Sequence, residues 1–275
     1  MLVLGAALLW SAGGVGIKAV PEPAVKVAFY RSAFAAIALL ALFRPRVVPR
    51  RPSFLIAVAC YAACLITFVV ATKWTTAANA IFLQYTGVVW VLIAAPIVLD
   101  EPRRRDDTAA ILIALGGMAL FFVGKFERRG LAGDLMALLS SLLFAFLVLS
   151  LRRERGEGAE AVVTFGNVFA AACLFPFVAT DLSLSGRSLG WLAFLGVFQL
   201  AAAYALFVLG IRHVPATRAS LIGMIEPIAN PIWVFLVLGE RPSRFAIAGG
   251  ATVLAAVAWR TLVAGPPAAE AAPPD

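Results

Sequence analysis

The chain has 275 residues, 62% of them hydrophobic and 14% charged, and a mean hydropathy of +0.95. A soluble domain of that size would have too little polar surface, so the composition excludes one and points to an integral membrane protein. The net charge of +8 does not favour a nucleic-acid binder, because the arginines come in short bursts between apolar runs rather than along one polar face.

Ten apolar stretches are predicted to span the bilayer, at 2–20, 25–43, 53–72, 76–98, 108–124, 133–151, 160–179, 188–210, 216–238 and 245–263. Each has the roughly 17 to 23 residues that a helix needs to cross the hydrocarbon. The first starts at Met1 without the basic leader of a signal peptide and runs into Pro21 and Pro23, so it reads as a span. It carries Trp10 and Ser11 at mid-depth, and Gly13-Gly14 permit close helix packing. In the second stretch Arg31 lies about two turns from the outer end. Its side chain either snorkels to the outer headgroups or binds a substrate carboxylate.

The third stretch supplies Tyr61, with Cys60 and Cys64 on one face as small buried hydrophobes. The fourth supplies Asn79, Gln84, Tyr85, Thr86 and Trp90 and has no proline before Pro96. Ser140-Ser141 in the sixth are read as packing residues, and Tyr204 lies at mid-depth in the eighth.

The ninth stretch has the strongest claim to a site. At helical spacing Ala219, Gly223, Glu226, Asn230 and Trp233 form a polar, small-residue stripe on an otherwise apolar helix. A carboxylate at mid-membrane must face protein or water, so this face points inward. Pro227 and Pro231 remove two backbone donors and leave the carbonyls of Gly223 and Pro227 without helical partners, which makes Gly223, Pro227 and Pro231 the expected gate or hinge. Glu226 either binds substrate or a proton, or bonds to a neighbouring helix and holds the kink. Residues 265–275, rich in Ala and Pro, are predicted to be a disordered tail.

The second half repeats the first. When Glu101 is aligned with Glu240, Phe68, Val69, Ala77, Ala80, Ile93, Ala109, Leu115 and Ala119 fall on Phe207, Val208, Ala216, Ala219, Ile232, Ala248, Leu254 and Ala258 at one constant offset. Five spans per unit is an odd number, so the copies enter the membrane from opposite sides. The predicted fold class is an all-α integral membrane protein of ten transmembrane helices in two inverted five-helix repeats, 1–127 and 128–264, an arrangement associated with alternating-access carriers. With a cytoplasmic N-terminus, twelve arginines fall in inner loops against nine basic residues outside. This predicts a multi-pass protein of the cell (inner or plasma) membrane with both termini cytoplasmic.

The run Pro215-Ala216-Thr217-Arg218-Ala219-Ser220-Leu221-Ile222, then Glu226-Pro227-Ile228, then Val237-Leu238-Gly239-Glu240-Arg241 resembles the penultimate helix of the EamA group of the drug/metabolite transporter superfamily. Its counterpart from Thr76 to Glu101, Leu9-Trp10-Ser11 and Tyr30-Arg31 fit the same group, although Gly87-Val88 stands where the second half has Glu226-Pro227. The resemblance implies a ten-helix exporter of small metabolites, and the aromatic-rich spans are similar to its YddG-type amino-acid exporters.

Other chemistry finds no support in the residues. His213 is the only histidine, so neither a His-based metal cluster nor a Ser/His/Asp triad can be assembled. There is no Walker A loop or dinucleotide fingerprint, and no cofactor, metal, enzyme activity or nucleic-acid partner is expected. All four lysines lie at predicted outer helix ends or loops, leaving Arg31 as the one cation near a cavity. Dianions would want more positive charge there, and the first span lacks the carboxylate of the small multidrug exporters. A neutral or zwitterionic solute fits better, with its ammonium on Glu226 or a tyrosine face and its carboxylate on Arg31.

The candidate substrate-binding residues are therefore Trp10, Ser11, Arg31, Tyr61, Asn79, Gln84, Tyr85, Thr86, Trp90, Tyr204, Glu226 and Asn230. The expected partners are a small solute and the lipid bilayer, with a monomer sufficient for transport. Glu226 carries a coupled proton, or transport is facilitated diffusion. The competing readings are a multidrug or cation exporter of the same fold and a non-transporting receptor or scaffold.

Overall fold

The computed structural model describes residues 1–45, 49, 51–120, 130–154, 157–238 and 244–263, and among these every regular element is a helix. The tail at 265–275, Gly239-Glu240 and the basic residues Arg46, Arg50, Lys125, Arg128, Arg129, Arg155 and Arg241 lie outside the described residues.

In chain order the helices are α1 (Leu2–Trp10), α2 (Gly13–Ala19), α3 (Ala24–Phe43), α4 (Pro52–Trp74), α5 (Ala77–Tyr85), α6 (Gly87–Val98) and α7 (Arg105–Leu120). They continue as α8 (Leu131–Glu154), α9 (Glu157–Val178), α10 (Gly186–Phe194), α11 (Ala203–Ile211), α12 (Ala216–Gly223), α13 (Glu226–Leu238) and α14 (Arg244–Ala258). A π-helical segment, Leu195–Ala202, joins α10 to α11, and a second, Trp259–Val263, follows α14. Seven helical stretches are long and apolar enough to cross a bilayer: Leu2–Ala19, Ala24–Phe43, Pro52–Trp74, Ala77–Val98, Leu131–Glu154, Gly158–Val178 and Gly186–Ile211. The remaining three predicted spans correspond to α7, to the broken pair α12–α13, and to α14 with its π-helical end.

Local chemistry sets the helix limits. Pro52 starts α4, where a missing N–H costs nothing, and Thr76 caps α5 by accepting from Asn79 N at 3.1 Å. Gly130 has φ +114°, and a Cβ there would meet the Trp74 carbonyl at 2.8 Å, so only glycine fits between α7 and α8. Outward faces stay apolar, as at Ile37, Ile97, Phe177 and Leu262, which suits helices whose surroundings are lipid.

The sequence places its one clear kink at the prolines of the ninth span, but the interruptions are more numerous. The fourth span breaks at Thr86 without a proline, because the Thr86 hydroxyl donates to the Leu83 carbonyl at 2.6 Å and Gly87 lies against the Ser141 backbone. The first breaks at Ser11 in the same way, the hydroxyl donating to the Leu8 carbonyl at 2.6 Å.

Packing crosses between the halves. The helix α1 lies on α11 as α8 lies on α4; α3 packs on α9, and α7 on α14. Two buried clusters result, one around Val3, Phe54, Leu147 and Phe207 and the other around Ile17, Ile81, Ile111 and Met224.

Both ends of the bundle are tied. At the lysine end Lys18 donates to the Thr75 carbonyl (2.8 Å), Lys73 to the Val20 carbonyl, and Lys26 pairs with Asp181 (3.0 Å). Hydrogen bonds to Asp181 from Ser183 first, and then from Lys26, hold its carboxyl down at about 2. At the arginine end Arg152 joins Glu101 (2.7 Å) to the carbonyls of Ile211 and Arg212 (2.8 Å each), while Glu101 also accepts from Ala216 N at 2.9 Å. Arg212 pairs with Glu160, Arg51 with Glu154, and Arg260 with Asp107.

Candidate functional site

Where the two clusters meet, the interior opens into a small cavity lined by Trp10, Arg31, Cys64, Leu65, Phe68, Gln84, Tyr85, Phe144, Gln199, Leu200, Tyr204 and Glu226. Its volume is ≈ 30 Å³, room for about two waters at 10–15 Å³ each and not for a metabolite.

Six of the sequence-predicted residues meet at this cavity: Trp10, Arg31, Gln84, Tyr85, Tyr204 and Glu226. Arg31 is only 3% exposed and turns inward rather than towards the headgroups, because Gln199 supplies an acceptor at shorter reach. Its Nε and Nη2 donate to Gln199 Oε1 at 3.1 and 2.7 Å, and Gln199 Nε2 donates to the Trp10 carbonyl at 3.2 Å. Among the described residues no carboxylate lies within ion-pair distance of Arg31.

Across the cavity, Glu226 Oε2 is 2.7 Å from the Tyr85 hydroxyl, which is also 2.7 Å from the Gly223 carbonyl that Pro227 deprives of its helical donor. Gln84 Nε2 donates to Ser140 Oγ at 2.9 Å. The aromatic wall is stacked edge to face, with Trp10 and Tyr204 centroids 5.0 Å apart and Tyr61 behind Tyr204 at 4.8 Å. Trp10 Nε1 is buried and has no partner among the described residues.

The other candidates lie elsewhere. Tyr61 accepts from Asn167 Nδ2 at 2.8 Å, one layer back from the cavity. Ser11 accepts from Trp233 Nε1 at 2.7 Å, and Asn230 lies against Gly14, so the far part of the ninth-span stripe packs on the first span. Asn79 bonds to Thr75 and Thr76 at the head of α5, and Thr86 contacts Ser141 at 3.3 Å. Trp90 is 48% exposed on α6 and faces away from the cavity. Of the hinge residues, Gly223 and Pro227 flank the break after α12, and the side chain of Pro231 is outside the described residues. Sequence reading missed Gln199, although it is the only side-chain amide in the eighth span, and the apolar lining residues Phe144, Leu65, Phe68 and Leu200.

The sequence that builds this cavity is matched by the model of the EamA-like transporter family, over residues 1–123 and 131–262. The chain belongs to the EamA-like transporter family. A protein of Archaeoglobus fulgidus described as an uncharacterized transporter is 26% identical to this EamA chain over 265 residues, covering 94% of it and 95% of the relative. The uncharacterized transporter YwfM of Bacillus subtilis is 29% identical, covering 87% and 86%. A solved crystal structure superposes with a TM-score of 0.79 over 96% of each chain at 16% identity, a likeness of fold. The EamA family and the seven apolar helices make this a multi-pass membrane protein and a transporter. Among the described residues no group of three or more His, Cys, Asp or Glu is arranged to hold a metal ion.

Proposed function

We propose that this EamA-family chain exports small zwitterionic metabolites, amino acids including aromatic ones, by alternating access around the cavity between Arg31 and Glu226. The observation that carries the reading is that a guanidinium and a carboxyl group line one low-dielectric cavity and each is held by a neutral partner, Gln199 for Arg31 and Tyr85 for Glu226. With Glu226 ionised, the two opposite charges attract a solute with one charge of each sign. Trp10, Phe144 and Tyr204 supply the apolar and π surface for a side chain.

The ten-span arrangement as two inverted five-helix repeats, 1–127 and 128–264, belongs to the same proposal. It is supported by the matched contacts α1 on α11 and α8 on α4, which an inverted two-fold relation would pair. Reporter fusions are expected to place both termini, and the loops around Arg104 and Arg153, in the cytoplasm; an extracellular Arg104 loop would remove the five-plus-five assignment.

The purified chain in liposomes, loaded with labelled L-phenylalanine, L-leucine, their methyl esters or a lipophilic cation, tests the function. The expected result is efflux of the free amino acids and little of the esters. Efflux of the cation alone would make the protein a multidrug exporter of the same fold, and no efflux of any solute would favour a receptor or scaffold.

A further inference from the structure

We infer that Gln199 is a positioning residue that sets the charge preference of this site, holding Arg31 in the cavity without neutralising it. The inference rests on the carrier reading above and goes one step further, because it says why the guanidinium's partner is an amide.

Gln199 is 2% exposed and sits in the π-helical segment Leu195–Ala202. Such segments are rare and recur at functional sites. Its position needs an acceptor on one side, for Nε and Nη2 of Arg31, and a donor on the other, for the Trp10 carbonyl beside the break in the first span. A primary amide offers both. A carboxylate of the same shape would bind Arg31 more strongly but would face the Trp10 carbonyl with a second acceptor. It would also turn the Arg31 guanidinium into half of an internal ion pair.

The backbone is shaped around this contact. Gly196 lets the eighth span approach the second, since a Cβ there would come 2.7 Å from the Arg31 carbonyl oxygen. Gly13 leaves room for the amide itself, since its Cβ would come 2.6 Å from Gln199 Nε2. Two donors then remain for an anionic group: Arg31 Nη1, which Gln199 does not engage, and Trp10 Nε1, which is buried without a partner among the described residues. Arg31 with these donors therefore selects a carboxylate, and Glu226 in its ionised form selects an ammonium.

The test compares an amino acid with its decarboxylated amine, L-phenylalanine against phenethylamine, in liposomes holding the full chain. The wild type is expected to prefer phenylalanine. In Gln199→Glu the KM for phenylalanine should rise about tenfold or more, the scale of a lost charge-assisted hydrogen bond. Phenethylamine flux should hold or increase, reversing the preference. Arg31→Gln should reverse it in the same direction.

Gly13→Ala keeps both side chains and only displaces the amide, so it should raise the KM for phenylalanine and leave that for phenethylamine unchanged. It serves as the second variant should Gln199→Glu fail to fold. A purely structural Gln199 would lower both fluxes together with thermal stability, and an unchanged ratio in folded Gln199→Glu, or in Gly13→Ala, overturns the inference while the carrier reading stands. If the wild type moves neither solute, the carrier reading falls and this inference falls with it.

Discussion

The hydroxyl of Tyr85 stands 2.7 Å from Glu226 Oε2 and 2.7 Å from the Gly223 carbonyl oxygen. A phenol has one hydrogen to donate. Both contacts are therefore satisfied together only when the carboxyl carries a proton and donates it to the Tyr85 oxygen, freeing the phenol hydrogen for Gly223. When the carboxyl is ionised, the phenol hydrogen turns to Glu226 and the carbonyl at the helix break is left bare. The protonation of Glu226 and the break between α12 and α13 are linked through one hydrogen atom.

Glu226→Gln supplies a permanent N–H in place of that proton. The variant is expected to fold with unchanged or raised thermal stability, while its flux falls and loses dependence on pH. Liposome flux across a pH range, with thermal unfolding alongside, checks it; unchanged transport would give the glutamate a structural role only.

Tyr85→Phe removes the shared partner of two buried polar groups at once. Thermal or denaturant unfolding should show a loss of about 1–3 kcal/mol, the cost of leaving buried polar groups unpaired. A smaller loss would mean that water replaces the hydroxyl.

Pro227→Ala restores a backbone donor to the Gly223 carbonyl, which then competes with Tyr85. The helix is expected to straighten and exchange between the open states to slow, so maximal flux falls while substrate affinity holds. Equal changes in kcat and KM would argue against a hinge at this point.

Asp181 gives a pH signature outside the spans. Its carboxyl is lowered from 3.8 to about 2 by Ser183 and then Lys26, so its contribution to stability is complete above pH 3.8 and is lost as pH falls through about 2. Asp181→Asn should be less stable than wild type at neutral pH, with the gap closing in that acid window. A gap that persists at the acid end would assign the effect to packing.

The helical framework was legible because a backbone in lipid has to satisfy its own hydrogen bonds, and nine of the ten expected stretches begin and end within a few residues of observed helices; the fifth continues beyond the described residues. Glu226 and its inward face were legible because a mid-membrane carboxylate has few places to go. Which side of the other helices faces inward was not. The fourth is apolar nearly all round, so periodicity could not tell that Tyr85 points into the cavity and Trp90 out of it. Gln199 stayed hidden for another reason: it carries no charge, and its partner Arg31 lies 168 positions away along the chain. The break at Thr86 depends on a hydroxyl rotamer, which sequence does not fix.

The pairing of Asp107 with Arg260 bears on how the protein is made. Asp107, at the start of α7, meets Arg260 and, at 3.6 Å, Arg218 of α12, and the Gly117 face of α7 is covered by Gly249 and Thr252 of α14, so what completes α7 comes from helices made later. A chain still emerging from the ribosome holds that carboxylate and a bare glycine seam in α7 until α12 and α14 follow.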